Sequence, residues 1–138
     1  MFGKMLVAYD GSQQSEKAYM LALDMAARYS AQMIVLSVVR PPEPPVAVEL
    51  EAVLESATEY YEAHFKSLKD QAQSLGIEAR FQVRVGHPAE QIVRLADEEE
   101  VDAIVMGHRG EGFLNRWLLG SVAKRVMSYA NCTVVVVR

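Results

Sequence analysis

A three-layer α/β sandwich built on a five-stranded, mostly parallel sheet is the fold this chain predicts, and three observations predict it. Five short apolar runs alternate with four stretches of helical spacing, beginning and ending on a strand. The run Gln32 to Val39 is apolar almost without interruption, which suits a strand covered on both faces. The run Ile77 to Val85 instead alternates apolar with polar residues, the mark of a half-exposed strand at a sheet edge.

The elements follow in order. Met5 to Tyr9 is the first strand, and Asp10-Gly11-Ser12 follows it at once. From Ser15 to Tyr29, Ala18, Leu21, Ala22, Met25 and Ala26 recur at helical spacing and predict one apolar face. After the second strand, Arg40-Pro41-Pro42-Glu43-Pro44-Pro45 reads as a stiff loop, because proline lacks the amide donor and fixes φ. Val46 to Leu75 is the longest predicted helix, its face running through Val46, Leu50, Val53, Leu54, Ala57, Tyr61, His64, Phe65, Leu68, Ala72 and Leu75. Gly76 then stands in the helix-ending position. Pro88 opens a short helix where its missing N–H costs nothing, and Ile92, Val93, Leu95 and Ala96 form its buried side. Ala103 to Met106 is the fourth strand. Ser121 caps a last helix that buries Val122, Ala123, Val126 and Met127, and Thr133 to Val137 ends the sheet.

The totals narrow the classes. At 138 residues the chain predicts one domain spanning residues 1–138. A net charge of −4 gives no support for nucleic-acid binding, which needs clustered Lys and Arg. The single cysteine, Cys132, leaves no internal disulfide framework and fits a reducing compartment. No apolar run approaches the roughly 20 residues of a membrane span, and no signal-peptide core is evident, so a cytoplasmic protein without a membrane partner is expected.

The chemistry concentrates between Met106 and Val122. Gly107, Gly110 and Gly112 crowd the carboxyl end of the fourth strand, and Gly120-Ser121 open the helix beyond. Glycines let backbone approach a ligand closely, and a helix N-terminus offers unpaired N–H groups and a positive dipole end. Together they suggest a phosphate cradle. If the first and fourth strands are central neighbours, Asp10 and Gly107 face one crevice, where ligands of such sheets bind.

Two residues separate Gly107 from Gly110, and nine separate Gly110 from Gly120-Ser121. This G-x2-G-x9-G-[S/T] spacing resembles the ATP-binding signature of the universal stress protein family. Met5 to Ser12, Gly86 to Ile92, Leu118 to Val122 and Cys132 to Arg138 are similar to other family segments, in the right order across essentially the whole chain. The fold that the resemblance implies is Rossmann-like, of the adenine-nucleotide α-hydrolase-like kind, with strand order 3-2-1-4-5. It implies that Gly107 and Gly110 line the ribose and phosphate side, while Gly120, Ser121 and Val122 meet the phosphates. Asp10 would hold the ribose or a cation, the backbone of Ala8 and Tyr9 would address the adenine, and Val38 and Met106 would pack on the base. Arg109 is either a phosphate contact or a solvated side chain. Tyr9 is bulkier than the family's usual residue there, which predicts a narrower adenine slot. His87 replaces a better-capping Asp.

Each signal has a plainer reading. The glycines could be a surface loop with a helix cap, Asp10 a cap, and Ser12 a turn or helix-start residue. His64, His87 and His108 lack ligand spacing, so no metal site is expected from them. Cys132 reads as a buried thiol, and the apolar loop Phe113 to Leu119 as a core anchor or a lid. No Walker-A lysine occurs. The expected protein is therefore a stress-response homodimer that binds ATP, with or without Mg2+, and at most hydrolyses it slowly. Its two copies would pair through the edge strand Thr133–Val137. The alternatives are a nucleotide-dependent hydrolase with His108 as base, or an interaction module that takes no nucleotide.

Overall fold

Strands and helices alternate along the chain as the periodicity predicts. The computed structural model describes residues 2–41, 47–109 and 120–138. Among these, the order is β1 (Lys4–Ala8), α1 (Gln13–Tyr29), β2 (Gln32–Val39), α2 (Ala47–Ser74), β3 (Ala79–Val85), α3 (Pro88–Glu98), β4 (Ala103–Gly107), α4 (Ser121–Tyr129) and β5 (Thr133–Val137). The strands form one sheet in the order β3-β2-β1-β4-β5, and every neighbouring pair is parallel. Pro42 to Val46 and the loop from Gly110 to Leu119, with its Phe113–Leu119 stretch, lie outside the described residues.

The pleat sorts side chains into two cores. Met5, Val7, Met33, Val35, Ala103 and Val105 pack with α1 and α2 on one face. Leu6, Ile34, Leu36, Ile104 and Met106 pack with α3 and α4 on the other. Central strands therefore need apolar residues at every position, which is why their sequence does not alternate. At the edge, Phe81 and Val83 of β3 join the α2 side. Arg80 and Arg84 bond Glu99 and Glu98 at 2.8 and 3.0 Å. The Arg80 hydrogen bond holds the Glu99 carboxyl below its ordinary range.

Local chemistry sets the ends. Helix α1 begins earlier than the apolar spacing predicts, because Ser12 is its N-cap and accepts from the Ser15 amide at 3.1 Å. Strand β3 begins two residues late. Gly76 takes φ +69°, its amide reaches Gln73 and the Ile77 amide returns to Ala72, the paired bonds of a Schellman ending. Ile77 is thereby spent on the helix terminus and buried there.

Three helix faces are rotated from the expected ones. Leu21 of α1, Leu54 of α2 and Met127 of α4 are exposed, and Leu75 just past α2 is too. Tyr19 and Leu23 take the buried places of α1 instead. The tyrosine decides the rotation: its ring is fully buried and its hydroxyl donates to the Leu68 carbonyl of α2 at 2.5 Å. Burial pushes the Tyr19 phenol up to about 12. In α4, Ala123 and Val126 are buried and Val122 is half-buried. A nine-residue helix covering one groove needs no wider stripe.

Candidate nucleotide crevice

The topology creates the site. Strands β1 and β2 are followed by helices on one face of the sheet, and β3 and β4 by helices on the other. Connections therefore diverge between β1 and β4, the switch point at which such sheets open a crevice. Backbone pairing shows the parting. The β1–β4 register ends at Val7↔Val105, whereas β1 stays with β2 through Ala8↔Leu36 and a further bond from the Tyr9 amide to the Leu36 carbonyl at 2.9 Å. On the far side β4 stays with β5, and the His108 amide donates to Val137 at 2.8 Å.

Ser37 holds the near lip in place. It is fully buried, and its hydroxyl donates to the Tyr9 carbonyl at 2.7 Å. Ser37→Ala takes that donor from a buried carbonyl, which is expected to cost about 1–3 kcal/mol. Urea denaturation checks this. A loss below about 0.5 kcal/mol would mean that the carbonyl is satisfied without Ser37.

A cavity of about 250 Å³ fills the parting. Ala8, Tyr9, Asp10, Val38, Met106, Gly107, Arg109, Gly120, Ser121 and Val122 all line it. Gly110 lies outside the described residues. Sequence reasoning passed over Leu36, Arg40, Pro88, Ile92 and Ala123, which also line it. Pro88 and Ile92 were legible only as helix residues, and they reach the cavity because α3 packs on the β2 side. Arg40 read as the start of the proline loop; its place just past a central strand's carboxyl end was the available signal. Leu36, Val38, Ile92 and Met106 make one wall apolar, while Arg40 and Arg109 bring positive charge.

The near lip is a tightly bonded turn. Asp10 Oδ1 accepts from the Ser12 amide at 2.9 Å, and the Ser15 hydroxyl donates to the Ser12 carbonyl at 2.9 Å. Capping thus falls to Ser12, while Asp10 shapes the turn and lines the cavity. The Tyr9 ring does not narrow the slot as its size predicts. It turns to the α1–α2 side, 2% exposed among Tyr61, Phe65 and their neighbours.

The far lip departs from the expected capping. Gly120, in extended backbone at φ −64° and ψ 154°, is the N-cap of α4, and Ser121 is its exposed first residue. Gly120 donates its amide to the His108 carbonyl at 2.6 Å. The donor-rich first turn therefore begins with Ser121 and Val122. Helix α3 likewise starts at His87 without a side-chain cap bond, as a histidine there predicts.

His108 is absent from the cavity wall. It is 6% exposed, and neither ring nitrogen has a hydrogen-bond partner among the described residues. The same residues include no cluster of three or more His, Cys, Asp or Glu fit to hold a metal, and no helix long and apolar enough to cross a membrane. Burial raises the Cys132 thiol above its ordinary range, which keeps it protonated and a poor nucleophile.

Known proteins share this architecture. The model of the universal stress protein family matches residues 1–138. Universal stress protein MJ0531 of Methanocaldococcus jannaschii is 33% identical over 142 aligned positions, covering 100% of this chain and 83% of that protein. Among solved structures, that of protein MJ0577, also from Methanocaldococcus jannaschii, superposes with a TM-score of 0.84 at 30% identity, over 99% of this chain and 96% of that one. The crystal structure of a universal stress protein in complex with cAMP superposes with a TM-score of 0.75 at 28% identity, over 99% and 97%. With Gly107 and Gly120 lining a switch-point crevice, this chain belongs to the universal stress protein family.

Proposed function

We propose that the protein binds ATP or a related adenine nucleotide in this crevice and acts as a nucleotide-responsive regulator in the cytoplasm under stress. The observation that carries the reading is the convergence of Ala8 to Asp10, Val38, Met106, Gly107, Arg109 and Gly120 to Val122 on one cavity. The apolar wall of Val38 and Met106 suits the base, Asp10 suits a ribose diol, and the first turn of α4 with Arg109 suits phosphates. Gly110, with its family spacing, would complete the phosphate side. The cAMP complex of a relative supports an adenine ligand. Mg2+ would arrive with the triphosphate.

Isothermal titration of nucleotide-stripped protein with Mg-ATP tests the reading, alongside mass spectrometry of gently denatured protein for carried-over nucleotide. Saturable heat and a nucleotide mass are expected. Absence of both signals would leave the crevice an empty fold feature and favour an interaction module. Hydrolysis is expected to be slow at most, because no Walker-A lysine is present and His108 does not line the cavity. Phosphate release faster than about one per second would overturn that part.

The same reading makes the protein a homodimer. Strand β5 is a sheet edge whose residues Val134 to Val137 are only half-buried. An unpaired apolar edge invites antiparallel pairing with a second copy. Light scattering should give twice the chain mass at micromolar concentration, and a monomer there would overturn the dimer.

A further inference from the structure

Tyr9 belongs to two places at once. Its backbone lines the crevice, and its ring is buried on the opposite face of the sheet, against α1 and α2. There its hydroxyl lies 2.5 Å from Glu16 Oε1 of α1 and 3.3 Å from His64 Nδ1 of α2. Helix α2 reaches the same turn again through Tyr61, whose hydroxyl donates to the Asp10 carbonyl at 3.5 Å. The Tyr60 hydroxyl sits 3.7 Å from where a Cβ on Gly11 would stand. Tyr9 is ringed by Tyr61, His64 and Phe65 at centroid distances of 6.1–6.5 Å.

Counting protons orders this cluster. The phenol has one hydrogen, and the carboxylate at 2.5 Å is the stronger acceptor. Burial and Glu16 both push the Tyr9 phenol well above its ordinary range, so that hydrogen stays on the hydroxyl. A hydrogen bond between His64 Nδ1 and the Tyr9 oxygen then requires the hydrogen to sit on Nδ1. An imidazolium always has that hydrogen, whereas a neutral ring has it in only one of two tautomers. The other tautomer sets a lone pair against the phenol oxygen. The titratable groups facing His64 in this packing are Glu16 from α1, Tyr9 from the end of β1, and Tyr60 and Tyr61 from its own helix.

We propose that His64 and Glu16 are positioning residues that act through Tyr9, so that protonation of His64 tightens the nucleotide crevice. The inference rests on the nucleotide-binding reading above. A locked His64–Tyr9–Glu16 chain fixes the Tyr9 ring, and the ring fixes the Tyr9-Asp10 backbone that forms the near lip. A chain with the wrong tautomer leaves that lip looser. Ligand and proton then favour each other reciprocally.

Cyclic AMP is the probe, because its phosphodiester carries the same charge across the range studied. Titration calorimetry should show binding roughly fivefold tighter at about pH 6 than at about pH 8. His64→Phe, which keeps a packed ring but no donor, and Glu16→Gln should each flatten that dependence. Independently, the NMR titration of the His64 ring should move to higher pH when cyclic AMP is bound. The same pH slope in His64→Phe as in the parent protein, or one His64 midpoint with and without ligand, overturns the coupling. No binding of cyclic AMP or of Mg-ATP at either pH overturns the nucleotide reading as well, so the two failures are distinguishable.

Discussion

Gly120→Val is expected to weaken nucleotide binding at least about thirtyfold, equivalent to roughly 2 kcal/mol, in calorimetric titration with Mg-ATP. The cause is space and not backbone conformation, since φ −64° and ψ 154° admit any residue. A Cβ on Gly120 would lie 3.1 Å from Arg109 Cα and 3.3 Å from the His108 carbonyl oxygen. Both are main-chain atoms and neither can swing aside as a side-chain tip would. Valine adds two further methyl groups at this buried neck, prising the end of β4 from the start of α4. Arg109 and the first turn of α4 would then no longer face one phosphate position. Gly120→Ala should lie between the two proteins, because its lone Cβ asks these neighbours to shift by only a few tenths of an ångström. Binding by the valine variant within about threefold of the parent would remove the neck from the site.

Gly107→Ala should fail differently. It is expected to lose about 1–3 kcal/mol of folding stability, the usual range for overpacking, and to melt about 3–10 °C lower. Its Cβ would stand 2.8 Å from Gln14 Cβ and 3.1 Å from both the Gln14 carbonyl carbon and the Arg109 oxygen. The residue it meets belongs to the first turn of α1, on the face away from the cavity's apolar wall. Gly107 is thus small because α1 crosses β4 closely there, a reason distinct from the ligand approach that its motif implies. A melting temperature within about 1 °C of the parent would show that α1 yields freely. The pair makes a useful contrast, one glycine read by ligand affinity and the other by denaturation.

These glycines illustrate how much was legible in the chain. Their spacing located the crevice and its family, and the residues it nominated do line one cavity wherever they are described. What each glycine makes room for was not legible, because the neighbours that crowd it come from Gln14 and from His108-Arg109, whose proximity is a product of folding. Tyr9 carries the same lesson. Its size suggested an obstructed slot, but a strand's side chains alternate between faces. Only the placement of α1 and α2 shows its ring departing from the ligand. His108 looked like a base in a ligand loop and is instead buried away from the cavity wall.

Periodicity, turn chemistry and motif spacing by themselves determined the order of elements, the parallel sheet, the Gly76 helix ending and the family. All of these are written locally, in patterns of a few residues or in fixed intervals. Tertiary structure alone decided which stripe of each helix is buried, as Leu21 and Met127 show by their exposure. It also brought Arg40, Pro88 and Ile92 to the crevice and joined His64 to Glu16 through Tyr9. The physical reason is common to all of these. An apolar arc on a helix fits more than one rotation, and the hydrogen-bond partners of a buried hydroxyl are distant in the chain. Both are settled only when close packing leaves one arrangement without a void or an unpaired polar group.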